Sequence, residues 1–503
     1  MSRSRRLAAA ALAGALLLAG GPTGVAAHAI GGTFQLPVPL WLYLVGAAVA
    51  VGASFVVTSL VARGGSETEY PTTAVDAPLA AAARAALRVM GLAWWYGAIV
   101  VAFVVGDITP LPAVLLWIGV WVGLPIVAAL LGNPWPSLSP FRTTFAGLEW
   151  LARRAGIRRL DAGLPYPPAL ARWPAVALLA AGIWAELILP GSEAAPTVGV
   201  LMVAYTVLTL AGMALFGQIA WLRNAEVFEV ELAWFGRIGP IARRSVRAEL
   251  CDGCGERCSF ERCIDCAECS TAAEDGERRP ELRPWIVGLS DVARAGWSDA
   301  AFIVLALAGV TYDGLRETAF GAWLIGAILP PLTGAFGITL TAFLLTDTLA
   351  FALVAGAFLA AFGAIRWLTR TITDAPLQPA GVYAATLLPI AAGYLVAHYL
   401  TLVIQGVVWL PSLVSDPLVS LAPELDWIPT GLVWYLSVAA IVGGHVAGIV
   451  LAHRLAIRDS RRRATVAGLP MVGLMIAYTV LSLWIIAQPI VIEPGVTPAA
   501  ALP

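Results

Sequence analysis

The chain predicts an all-α fold, a polytopic helical membrane bundle of about ten transmembrane helices, and three observations carry that prediction. It is 59% hydrophobic and 13% charged with a mean hydropathy of +0.82, too apolar for a water-soluble protein of 503 residues. Its apolar runs are long enough to cross about 30 Å of hydrocarbon. All 31 basic residues are arginines, and they gather in alternate loops, the asymmetry that orients membrane proteins.

The N-terminus opens with Arg3, Arg5 and Arg6, continues with LAAAALAGALLLAG and reaches small residues at Val25-Ala26-Ala27. That is the three-part layout of a signal peptide over 1–27, whose cleavage makes His28 the mature N-terminus. A cut after Ala29 and an uncleaved anchor are the alternatives. Spanning runs follow near 38–61, 90–105, 112–131, 174–190, 197–221, 298–312, 336–364, 381–408, 431–453 and 467–489. The segment GAWLIGAILPPLTGA (321–335) is read as re-entrant or outer-surface, broken by Pro330-Pro331.

Arginine decides that count. With the mature N-terminus outside and ten spans, the inner loops hold Arg63, Arg84 and Arg88, six arginines in 132–173, eleven in 222–297, Arg366, Arg370 and five in 454–463. Only Arg316 then falls outside. The reading is a plasma-membrane protein with both mature ends outside, helices one to five in 28–221, a cytosolic loop over 222–297 and helices six to ten in 298–503. Lipid is its expected surroundings, and nothing in the chain points to nucleic acid.

Two inner segments exceed simple connectors. In 132–173, Phe141, Phe145, Leu148 and Leu151 recur at helical spacing opposite Arg153, Arg154, Arg158 and Arg159, the pattern of an amphipathic helix on an anionic leaflet or packed on neighbouring loops. The loop 222–297 holds all six cysteines, Cys251, Cys254, Cys258, Cys263, Cys266 and Cys269. Their Cys-x-x-Cys pairs suit a zinc site, with an iron–sulfur cluster as the alternative. A cytosolic position weakens a disulfide reading, because thiols there are kept reduced.

Within the membrane, ionisable residues are expensive and therefore functional candidates. Counted from the apparent helix ends, His398, His445 and Asp347 share a level near the midplane, roughly 15–20 Å deep at 1.5 Å per residue. Tyr394, His398, Thr401 and Gln405 lie on one helical face. His28, Asp107, Glu186 and Asp313 are candidates nearer the outer surface. His453 reads as a cation at a helix C-terminus, and Met471 and Met475 as core filling. Pro389, Gly393 and the Gly444-x-x-x-Gly448 face mark sites of close helix packing.

The residues thus point to an outward-accessible His/carboxylate site for a small solute, metal ion or proton. If the protein is an enzyme, His398, His445 and Asp347 are the catalytic candidates, acting with metal-activated water. No Gly-x-Ser-x-Gly, Walker or His-Glu-x-x-His signature is present. A third reading is a scaffold whose cysteine loop senses metal or redox state.

The segments HAIGGTFQLPVPLWLYLVGAA (28–48), GNPWPSLSPFRT (132–143), WPAVALLAAGIWAEL (173–187), VTYDGLRET (310–318), LPIAAGYLVAHYLTL (388–402) and GGHVAGIVLAHRLA (443–456) resemble a bacterial and archaeal family of polytopic membrane proteins labelled fenitrothion hydrolase. The resemblance implies hydrolysis of an organophosphate ester, within an assembly that includes a partner membrane or secreted subunit. The motif positions are His28, Glu186, Asp313, His398, His445 and His453. The cysteine loop departs from that pattern.

Overall fold

The structure is a computed structural model that describes residues 34–61, 71–75, 77–245, 263–265, 278–292, 295–373, 377–418, 421–459 and 464–492. The signal-peptide reading, His28 and all the cysteines except Cys263 lie outside these residues. Among them, ten helices are long and apolar enough to cross a membrane, so the protein is an integral membrane protein in contact with lipid.

The principal helices are α1 (Leu40–Val61), α2 (Ala77–Val104), α3 (Leu111–Leu131), α4 (Pro140–Arg154), α5 (Trp173–Leu187), α6 (Ala195–Phe216), α7 (Gln218–Asn224) and α8 (Val227–Gly236). They continue as α9 (Trp297–Arg316), α10 (Ala319–Phe336), α11 (Leu340–Ile372), α12 (Leu388–Ser415), α13 (Thr430–Asp459) and α14 (Ala464–Ile490). Strands β1 (Phe34–Gln35) and β6 (Val491–Ile492) pair in parallel and bring both described termini to one end of the bundle. At the other end, β2 (Thr73–Ala74), β5 (Arg278–Leu282), β3 (Ile241–Ser245) and β4 (Cys263–Ile264) form a four-stranded antiparallel sheet in that order. Cys263 therefore sits on an edge strand of this sheet.

Side-chain contacts fix how the helices run. Trp297 packs on Phe362, and Tyr312 on Phe351, so α9 and α11 are antiparallel. Helix α5 runs parallel to α9: Arg172, just before it, pairs with Asp299, and Arg316 donates to the Leu187 carbonyl at 2.6 Å. Although only 15 residues long, α5 thus covers the depth of α9 from Asp299 to Arg316. Helix α10 is among the ten by length and composition, yet α9 ends and α11 begins at the same end of the bundle. It is joined to both by short turns, with Gly321 packed against the Leu315 carbonyl. The segment 321–335, read from the sequence as re-entrant or outer-surface, thus lies in a continuous helix of spanning length. Pro330 and Pro331 do not break it: the helix is continuous through them.

The loop reading for 222–297 needs correction. Gly217, at φ +84°, reverses the chain after α6, and α7 folds back on α6 with Trp221 stacked on Phe216 and filling the space a side chain at Gly212 would need. Helix α8 then returns toward the sheet end, with every residue but Ala233 buried. Helices α7 and α8 form a re-entrant hairpin inside the bundle. The short length of the apolar run VFEVELAWFG and its two glutamates hid it from a search for spanning segments. In α4, Phe141 and Phe145 are buried as the amphipathic reading requires, Phe141 in an aromatic cluster with Trp95, Trp135, Tyr205 and Phe228, whereas Leu148 and Leu151 are exposed.

Helices α12 and α13 approach through glycine. A Cβ at Gly444 would lie 2.3 Å from the Pro389 carbonyl oxygen, and one at Gly393 equally close to that of Ala440. Both neighbours are backbone and cannot swing aside. Gly444→Leu is expected to cost about 1–3 kcal/mol through overpacking, whereas Gly443→Leu, at a position with nothing within 4 Å, should cost far less. Thermal unfolding of the detergent-solubilised variants checks the contrast.

Candidate functional site

Three helices bring the principal polar cluster together. Asp313 lies near the C-terminal end of α9, His398 and Tyr399 lie in α12, and Glu186 ends α5. His398 Nε2 is 3.0 Å from Asp313 Oδ2, and the Tyr399 hydroxyl donates to the same oxygen at 2.8 Å. An ionised carboxylate only accepts, so the bond places a proton on Nε2. The His398 side chain is almost fully buried and that of Asp313 is 19% exposed. Arg316, one turn beyond Asp313, is within electrostatic reach of it and over the Tyr312 ring. Burial of the Asp313 carboxylate is tolerable because His398 and Tyr399 both donate to it.

Glu186 extends the cluster. Its Oε2 accepts from the Trp121 indole at 2.6 Å, and Asp313 and Glu231 are within electrostatic reach. Trp121 belongs to a π-helical stretch, Val114–Gly123. Pro125 cannot donate to the Trp121 carbonyl four residues back and crowds it, which favours widened turns there. A small cavity with about 40 Å³ of space for water centres lies between α3, α5, α8, α9 and α12. Glu186, Glu231, Trp121 and Tyr399 supply its polar lining, and Leu179, Ile183 and Phe235 part of its apolar walls. At roughly 10–15 Å³ per water it has room for about three.

The re-entrant hairpin supplies two further buried acids. Glu226 caps α8, accepting from the backbone N–H of Phe228 and Glu229, the Tyr205 hydroxyl and the Trp135 indole. Glu229 forms a 3.0 Å ion pair with Arg142 of α4.

The level shared by His398, His445 and Asp347 does not survive in the structure. Gly444 meets α12 at Pro389, so His445 lies beside a part of that helix nine residues from His398, about 14 Å along the axis at 1.5 Å per residue. A count from helix ends assumes that the ends are level, but the contacts of Gly393 with Ala440 and of Gly444 with Pro389 set the start of α13 beside the middle of α12, which runs on to Ser415. His445 is wholly buried, with Nδ1 bonded to the Ile441 carbonyl at 2.8 Å. Asp347 is near the cluster's level, since the Tyr312 hydroxyl donates to its backbone carbonyl, but it is Asp313 that meets His398. Asp107 is exposed in a short turn after α2. His453 packs edge-on against Phe55 and is buried, so it is no interfacial cation. Met471 and Met475 fill the core.

Tyr394 and Thr401 join His398 on the buried face of α12, and Gln405 donates to the Pro423 carbonyl. Sequence reasoning missed Trp121, Glu231 and Tyr399. Tyr399 is adjacent to His398 and was readable as a partner, whereas Trp121 and Glu231 reach the site only through the π-helical turns and the hairpin. Among the described residues no three His, Cys, Asp or Glu side chains are grouped to hold a metal. No protein-family model, curated protein or solved structure matches the chain.

Gly314 lets α9 and α12 meet at this site. A Cβ there would lie 3.0 Å from the Tyr394 hydroxyl and 3.1 Å from His398 Cε1. Gly314→Val is expected to displace the imidazole and to cost about 1–3 kcal/mol. A lowered thermal midpoint together with a shifted His398 ring resonance would show it, and an unchanged resonance would mean the strain is relieved elsewhere.

Proposed function

We propose that the protein relays protons at the Asp313–His398–Tyr399 cluster, entering from outside the cell. The observation that carries this reading is a buried His–Asp–Tyr hydrogen-bonded set in membrane-spanning helices, beside a carboxyl-lined cavity of water size. Asp313 holds the imidazole, so His398 can gain and lose a proton without moving, and once Asp313 is protonated Tyr399 can take that proton on its oxygen as it gives its own to a cavity water. The cavity suits water, not a bulky organic solute. Arginine-rich segments at the sheet end support a cytosolic location for that end and an outer location for the paired termini, in the plasma membrane.

A membrane-bound, metal-assisted hydrolase of organophosphate esters is the second reading. It draws on the resemblance and on the Asp313-held imidazole, which is placed to take a proton from a cavity water. Both readings meet in one experiment. Protein in liposomes carrying a pH-sensitive dye should admit protons down an imposed gradient, and His398→Ala should slow entry by about a hundredfold, within the usual worth of a positioned acid–base group. Equal flux in the variant would refute the relay. Phosphotriester turnover that is lost in the same variant would favour the hydrolase.

The cysteine run supports a separate proposal, a zinc site at the cytosolic end, with an iron–sulfur cluster as the alternative and metal or redox sensing as its role. Elemental analysis of the purified protein is expected to give stoichiometric zinc without the brown absorbance of iron and sulfide. Absence of both metals would remove the proposal.

A further inference from the structure

The relay leaves one chemically awkward group unused. Glu231 is 8% exposed, it lines the cavity, and its Oε2 has no hydrogen-bond partner. A buried carboxyl oxygen without a donor is costly unless the group is neutral or solvated by trapped water. Across the same cavity stands Glu186, whose Oε2 already accepts from the Trp121 indole. Two carboxyls in electrostatic reach of each other within one small, largely apolar cavity do not both ionise readily.

We infer that Glu186 and Glu231 hold one proton between them across the cavity, and that Glu231 passes it on to the acids at the buried turn of the re-entrant hairpin. This rests on the proton reading of the site and extends it inward. Tyr399 provides the junction, since its hydroxyl donates to Asp313 while its side chain lines the cavity. An arriving proton is taken by the Glu186 carboxylate from a cavity water, and that water is restored by the proton passing through Tyr399. Glu231 gives up its own proton to the Glu226 carboxylate, within its electrostatic reach, and regains one from Glu186. One O–H bond breaks for each that forms, and nothing is oxidised. Glu226 stands at the buried start of α8, and Glu229 with Arg142 lies between it and Glu231 on the same helix.

The test uses the full-length protein in liposomes. With carbon-13-labelled glutamate, the unmodified protein should show the infrared carbonyl band of a buried carboxylic acid at neutral pH, sensitive to deuterium oxide. Glu231→Gln should remove that band and slow proton entry by about a hundredfold, while Glu231→Asp restores part of the flux. A thermal midpoint near that of the unmodified protein shows that the variant folds. Should Glu231→Gln not fold, the band in the unmodified protein still decides, because its absence overturns the shared proton. If His398→Ala stops entry and Glu231→Gln leaves flux and band unchanged, this inference fails while the site reading stands. If His398→Ala leaves entry unchanged, the site reading fails and the inward path falls with it.

Discussion

A carboxylate withdrawn from water costs several kcal/mol unless charge and hydrogen bonds are returned to it by the protein. Asp313 obtains both from α12, through the imidazole of His398 and the hydroxyl of Tyr399. That requirement governs the packing around it. Helices α9 and α12 must come close enough for the bonds to form, which Gly314 permits. Helix α12 must in turn be held, and the glycine contacts with α13 at Gly393 and Gly444 press backbone on backbone. Arg316 ties the end of α9 to α5, which carries Glu186 to the same cavity.

The second constraint is that every polar group in the bundle must be satisfied inside it. The hairpin of α7 and α8 shows how this is met. Glu226 is fully buried but serves as the cap of α8, taking two backbone and two side-chain donors, and Glu229 is neutralised by Arg142. Glu231 differs from both in having a free carboxyl oxygen facing a cavity. The contrast within one helix separates acids that stabilise the hairpin from the one available for chemistry.

Much of the architecture was legible because it depends on length, hydropathy and composition. Apolar runs located nine of the ten candidate spans, all but Ala319–Phe336, while Gly444 and Gly448 marked a close helix contact and Phe141 and Phe145 announced the buried face of α4. His398, Asp313 and Glu186 were each visible as costly groups in apolar surroundings. Their association was not visible, because it depends on where helix ends fall. The offset between α12 and α13 sets His398 well away from the level of His445, and its partner is Asp313. The hairpin was hidden for another physical reason: a ten-residue helix is too short to register as a span, and only the reversal at Gly217 shows that it turns inward.

The central claim is that His398 exchanges protons with the outer solution while held by Asp313. The chain has four histidines, so solid-state nitrogen-15 NMR of histidine-labelled protein, inserted in one orientation in sealed liposomes, can resolve their rings. The account predicts that the His398 ring changes protonation as the pH on the side of the paired termini is varied, and that Asp313→Asn alters that response while the wholly buried His445 stays unchanged. A His398 ring that keeps one protonation state throughout, indifferent to Asp313→Asn, would contradict it.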